Sequence, residues 1–131
     1  MLKKIFLIII LTTFLSCEKS EFENLLINPN KKWSYVSNNK FNKNMRIVFY
    51  SKFYPNGDYE NLFIETNEKH ILLDGNSKDC HWKYSKKDSI LELCERTFKI
   101  FKYEKDTIHL LELKDNFRSI FINYSSKEIK N

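Results

Sequence analysis

The chain has 131 residues, with 22 Lys or Arg against 17 Asp or Glu and a formal net charge of +5. That length suits one domain and excludes two large cores. The charges are interspersed and form no block, so a solvated surface is expected and a nucleic-acid patch is not.

At the N-terminus Lys3 and Lys4 precede an apolar run, Ile5 to Leu11, and Phe14-Leu15-Ser16 leads into Cys17. A basic start, a short apolar stretch and a small residue before a polar break are the parts of a secretory signal. The run is shorter than the about 20 residues a membrane span needs. Ending on a cysteine, the pattern resembles a bacterial lipoprotein signal peptide. The resemblance implies cleavage before Cys17, a lipid such as palmitate on that residue, and a mature protein tethered to a membrane of the bacterial cell envelope, the outer in preference to the inner. The alternatives are an uncleaved anchor or a plain secretory signal cut elsewhere. One departure stands at Phe14, where such boxes usually carry Leu. The reading divides the chain into a signal peptide (1–16), a tether with a short helix (17–30), a β-domain (31–124) and a polar tail (125–131).

Past the cysteine, Ser20 and Glu23 have capping-box spacing, and Phe22, Leu25 and Leu26 recur on one helical face. Asn28-Pro29-Asn30 ends that helix. From Lys31 onward the chain reads as strands: Lys32–Val36, Arg46–Tyr54, Asp58–Glu65, Lys69–Leu73, Cys80–Ser85, Ser89–Cys94, Thr97–Tyr103, Thr107–Leu113 and Phe117–Tyr124. Aromatic and β-branched residues fill them, and turn-formers separate them. The two glycines, Gly57 and Gly75, both fall in expected turns. The expectation is an all-β fold. It is a single antiparallel meander, closed or nearly closed into a barrel of about eight to nine strands, preceded by a short helix.

Two hairpins can be read in register. A two-residue turn at Asn56-Gly57 pairs Tyr54 with Tyr59, Tyr50 with Phe63 and Phe49 with Ile64. Ile47, Phe49, Leu62 and Ile64 then share a core face, with Tyr50, Tyr54, Tyr59 and Phe63 on the other. A second turn centred on Lys87 sets Tyr84 against Ile90, Trp82 against Glu92 and Cys80 against Cys94. With Cys17 given to lipid, an exported chain with this pair left over is expected to form a Cys80–Cys94 disulfide. The alternative is a pair of buried free thiols.

Trp33 in the first strand, the phrase Phe53-Tyr54-Pro55-Asn56-Gly57-Asp58-Tyr59, the phrase His81-Trp82-Lys83-Tyr84 before Ile90-Leu91-Glu92-Leu93, and Arg118 in the last strand resemble a lipocalin-like domain. More narrowly they resemble the small lipocalin-like lipoproteins of Bacteroidetes. The resemblance covers about Lys31 to Tyr124 and departs at Lys31, where the lipocalin pattern has Gly. It implies that Trp33 and Arg118 close the barrel structurally, the guanidinium lying on the indole. Such a contact is worth about 0.5–2 kcal/mol.

His70, His81 and His109 lack metal-motif spacing, so no metal is expected. There is no Gly-rich phosphate loop and no nucleophile elbow around Ser51, Ser85 or Ser119. Glu92 and Glu95 read as a strand's polar face rather than a hydrolytic couple. The protein is expected to be no enzyme and to need no cofactor. Tyr35, Tyr50, Tyr54, Tyr59 and Trp82 could stack on sugars or fill a cup, but interiors of small barrels are mostly filled by their own side chains. The functional expectation is a lipid-anchored envelope lipoprotein that binds a small apolar or amphipathic ligand. The candidate residues near the barrel mouth are Phe49, Phe63, Ile64, Trp82 and Phe101. The alternative is a solid-core structural or interaction subunit of an envelope complex. The expected partners are the membrane, through the lipid, and a small ligand or an envelope protein, with no nucleic acid.

Overall fold

Ser20 starts the helix as its spacing predicts. In the computed structural model, which describes residues 18–37, 49–68 and 80–124, the Ser20 side chain accepts from the Glu23 amide at 3.3 Å. Helix α1 runs Glu21–Ile27, with Glu21 and Glu23 in the first turn, where the helix dipole favours acids. Seven residues are too few to hold alone. What holds them is burial of Phe22 and Leu26, one turn apart. The Phe22 ring lies 4.5 Å from that of Tyr84 and 5.2 Å from that of Tyr103.

Eight strands follow: β1 (Trp33–Ser37), β2 (Phe49–Phe53), β3 (Tyr59–Phe63), β4 (Trp82–Ser85), β5 (Ile90–Leu93), β6 (Arg96–Glu104), β7 (Thr107–Glu112) and β8 (Phe117–Asn123). They form one antiparallel sheet in the order β3-β2-β1-β8-β7-β6-β5-β4, curled into a half-barrel, as the meander expectation required. The first and last strands pair along their length, from Trp33 opposite Asn123 to Ser37 opposite Ser119. Among the described residues the sheet's two edges, β3 and β4, meet at one bridge, Asp58 to His81. There the Trp82 amide also donates to the Gly57 carbonyl at 2.8 Å.

The turns β2–β3, β4–β5 and β6–β7 share one end of the half-barrel with α1. The turns β5–β6 and β7–β8 lie at the far end. Trp33 is fully buried at the helix end, its indole N–H donating to the Leu26 carbonyl at 3.2 Å. Around it pack Phe53, Leu91, Phe98, Ile108, Leu110 and Phe121. The Lys31 ammonium, almost buried, donates to the Lys105 carbonyl (2.7 Å) and the Asp106 carboxylate (2.8 Å), tying the start of β1 to the β6–β7 turn.

Both hairpin registers differ from expectation by one residue. Phe53 faces Tyr59, Tyr50 faces Leu62 and Phe49 faces Phe63. The turn is longer than two residues. The Gly57 amide donates to the Tyr54 carbonyl, the Tyr54 amide donates to the Asp58 carbonyl, and Gly57 has φ +93°. Pro55 suits the first central position of a type I turn, and Gly57 takes the positive φ that follows it. Phe49 therefore shares a face with Phe53, and Leu62 lies on the opposite face, against the expected grouping. In the second hairpin Trp82 faces Leu93 and Tyr84 faces Leu91, because the turn 86–89 holds four residues and ends on Ser89 at φ +54°.

The Cys80–Cys94 disulfide nevertheless forms, with Cα atoms 4.7 Å apart. Cys94 leaves the ladder in a left-handed turn conformation, φ +56°, its amide on the His81 carbonyl at 2.9 Å. Ile47, Gly75, His70 and the expected strand Lys69–Leu73 lie outside the described residues, as do Cys17 and the tail 125–131.

Candidate functional site

Inward positions at the helix end are apolar. On β6 and β7 the inward rows turn polar toward the far end. Arg96 follows Trp82 and Leu93 across the sheet and precedes inward Phe98 on its own strand. Glu112 follows inward Ile108 and Leu110 on β7. The two side chains meet inside the curl. Arg96 Nε donates to Glu112 Oε1 at 3.1 Å, and Nη2 donates to Oε2 at 2.7 Å. Nη2 also donates to the Tyr35 hydroxyl at 3.0 Å. The guanidinium carbon lies 4.9 Å from the Phe98 ring centre and 5.1 Å from that of Tyr35.

This forked pairing holds the Glu112 carboxyl below the usual carboxylate range. The same bonds raise the already high Arg96 value further. The Glu112 side chain is 11% exposed, whereas that of Arg96 is 46% exposed although it points inward. Water therefore reaches the interior from this end.

Beside the pair stands a neutral cluster from β2 and β3. The Tyr59 hydroxyl lies 2.7 Å from Asn61 Oδ1 and 2.9 Å from Ser51 Oγ, and Ser51 Oγ is 2.8 Å from the same Oδ1. Burial pushes the Tyr59 hydroxyl up, outweighing the opposing pulls of its hydrogen bonds with Ser51 and Asn61 and of the Arg96 charge. Ser119 lies inward between Ser37 and Leu110, one position along from the Glu112–Phe117 pair. Its hydroxyl is buried and has no hydrogen-bond partner among the described residues. At the edge, Phe49 and Phe63 pack at 4.8 Å between ring centres. Phe49, Leu113 and Phe117 are among the exposed large apolar side chains. The result is a polar cup with an aromatic rim.

Of the five residues expected at the mouth, Phe49 and Phe63 come together there. Ile64 lies half-buried in the turn after β3. Trp82 is core, its indole N–H donating to the Tyr54 carbonyl at 2.8 Å, so it lines no mouth. Phe101 is 51% exposed on the outer wall against His109. Inward Ile100 precedes it, and a bulge between Ile100 and Lys102 breaks the alternation there. Arg118 also corrects expectation. It alternates with inward Ser119 and so points outward, 5.5 Å from the Phe101 ring centre rather than on Trp33. The Leu26 carbonyl, not a guanidinium, completes Trp33.

Sequence reasoning missed Arg96 and Glu112. Their parity with Phe98 and Ile100, and with Ile108 and Leu110, was the available signal: two opposite charges each continuing an inward row. Among the described residues no group of three or more His, Cys, Asp or Glu is placed to hold a metal. No helix among them is long and apolar enough to cross a membrane. No protein-family model matches the chain, and no curated protein matches it either.

Proposed function

We propose that this chain is a lipid-anchored envelope lipoprotein of the lipocalin-like kind. In this reading the far-end cup takes a small amphipathic molecule, and its role is binding rather than catalysis. The observation that carries the binding reading is the cup itself. Hydrogen-bonding groups stand inside an otherwise apolar half-barrel, with half-exposed Arg96 among them and the stacked Phe49 and Phe63 rings at the β2–β3 edge. Polar groups set in an apolar concavity fix the orientation of a ligand whose body is apolar.

The anchor reading rests on the Cys17 pattern. Helix α1 begins four residues after Cys17 and packs at the closed end. A lipid on Cys17 would hold that end to the bilayer and turn the cup toward the aqueous side, so the ligand would arrive from solution. A Cys17→Ser chain should lose lipid labelling and leave the membrane fraction. Unchanged labelling and fractionation would remove Cys17 as the anchor. For the cup, native mass spectrometry of the wild-type chain as purified should show an adduct of small amphiphile mass. A bare chain recovered with a partner protein would favour the interaction-subunit reading, for which exposed Phe101 on the outer wall is the supporting feature.

A further inference from the structure

We propose that the cup selects an uncharged head group rich in hydrogen-bond acceptors, such as an ester or amide carbonyl with neighbouring hydroxyls, over a carboxylate on the same chain. The inference rests on the amphiphile-binding reading and names its substrate class. It comes from counting what the cup's polar groups have left to offer.

Arg96 spends Nε and Nη2 on Glu112 and Tyr35, and among the described residues no hydrogen bond engages Nη1. Its two N–H groups lie at the half-exposed end of an inward side chain. The Tyr35 hydroxyl accepts from Arg96 and keeps its own proton. Asn61 Oδ1 is occupied by Ser51 and Tyr59, while its amide N–H groups take part in no hydrogen bond among the described residues. The unspent groups are therefore mainly donors, and a ligand must bring acceptors.

The charge balance decides which acceptors. Glu112, almost buried, already cancels Arg96 through both carboxylate oxygens. A ligand carboxylate would set a second negative charge beside Glu112 in a partly desolvated site, with no uncommitted inward cation among the described residues to meet it. Lys114 acts on Glu112 from the β7–β8 turn, but it is exposed and its field is screened by water. A carbonyl or hydroxyl accepts the same Nη1 and Tyr35 protons without that cost. The rim phenylalanines then take the first carbons of the tail. The interior beneath is filled by Phe98, Leu110 and Phe121 at 0–1% exposure, so the head enters first and the tail stays at the rim.

The test uses the full chain in a detergent that detaches in the gas phase, mixed with equimolar monolauroylglycerol and laurate. Native mass spectrometry then reads the ratio of the two adducts. The expected result is a neutral adduct in excess by about tenfold or more. Glu112→Gln, which leaves Arg96 unmatched, should turn the preference toward laurate. A wild-type ratio at or below one overturns the proposal while leaving amphiphile binding in place. No adduct of either kind overturns the binding reading and this inference with it. The wild-type ratio decides even if the variant does not fold. A folded Glu112→Gln chain, checked by circular dichroism, with an unchanged ratio also overturns the proposal.

Discussion

Single side chains divide the half-barrel into a dry half and a polar half. Trp33 is the keystone of the dry half, with no exposure and its one polar atom satisfied by α1. Trp33→Ala should cost about 3–5 kcal/mol, read as a lower urea midpoint at unchanged slope. In the polar half, Glu112 has its carboxyl depressed by Arg96. A depressed acid adds stability that is fully present above its unfolded value near 4.5 and is lost as pH falls through the folded value. Asp106, lowered by its bond from Lys31, acts in the same direction. Urea midpoints should therefore fall between about pH 5 and pH 3, and Glu112→Gln should flatten part of that fall. Because Arg96 is half-exposed, the pair is worth only about 1 kcal/mol. Ser119→Ala removes a buried hydroxyl without a partner and should raise the ligand-free midpoint, by about 1 kcal/mol. A drop would mean the hydroxyl has a partner. At this scale the sequence exposed Trp33 through its position in the first strand. It hid the Arg96–Glu112 pair, because 16 residues separate the two and only the β6–β7 ladder joins them.

At the scale of elements, strand composition was enough to place all eight described strands and the helix, since apolar alternation and turn residues are local signals. Registers were not, because they depend on how many residues a turn consumes. At Tyr54-Pro55-Asn56-Gly57 the Asn-Gly pair suggested two, but Pro55 favours a longer turn in which Gly57 alone takes positive φ. Gly57→Ala would force a side chain to φ +93° and set its Cβ 3.4 Å from the Trp82 carbonyl. It should cost about 1–2 kcal/mol in chemical denaturation. The disulfide survived its register error because Cys94 sits in a turn that can swing its Cβ toward Cys80. It closes a loop with a sequence separation of 14, for which the chain-entropy estimate is about 3 kcal/mol. Cys80→Ser and Cys94→Ser should each lose close to that amount, and the wild-type chain should show no titratable thiol from either before reduction. The outward turn of Phe101 follows from alternation with inward Phe98 and Ile100, and the bulge after Ile100 returns the inward position to Tyr103, so the two halves of β6 give Phe101 opposite parities.

Across the whole molecule, the antiparallel meander was legible, and the cup was not. A cup is a property of several strands at once, made where inward rows from β1, β2, β3, β6, β7 and β8 run past the packed interior. Among the described residues the sheet's two edges are joined by the Asp58–His81 bridge and by the Trp82 bonds to Gly57 and Tyr54, and β1 meets β2 at one ladder pair, against longer ladders at β1–β8 and β7–β8. Amides on the facing edges of β3 and β4 should therefore exchange with deuterium faster than those of β1, β7 and β8. Equal protection across the sheet would contradict that order.

The pairing of β1 with β8 also fixes a sequence in time. Trp33 meets Ser51 of β2 early, but its partner on the other side, Asn123, arrives 90 positions later. A chain emerging N-terminus first thus carries its largest core side chain without half of its sheet until β8 is free. Hairpins β4–β5 and β6–β7 can close earlier, but the half-barrel cannot. Loss of the final strand should then leave no smaller native domain behind, only an unfolded chain.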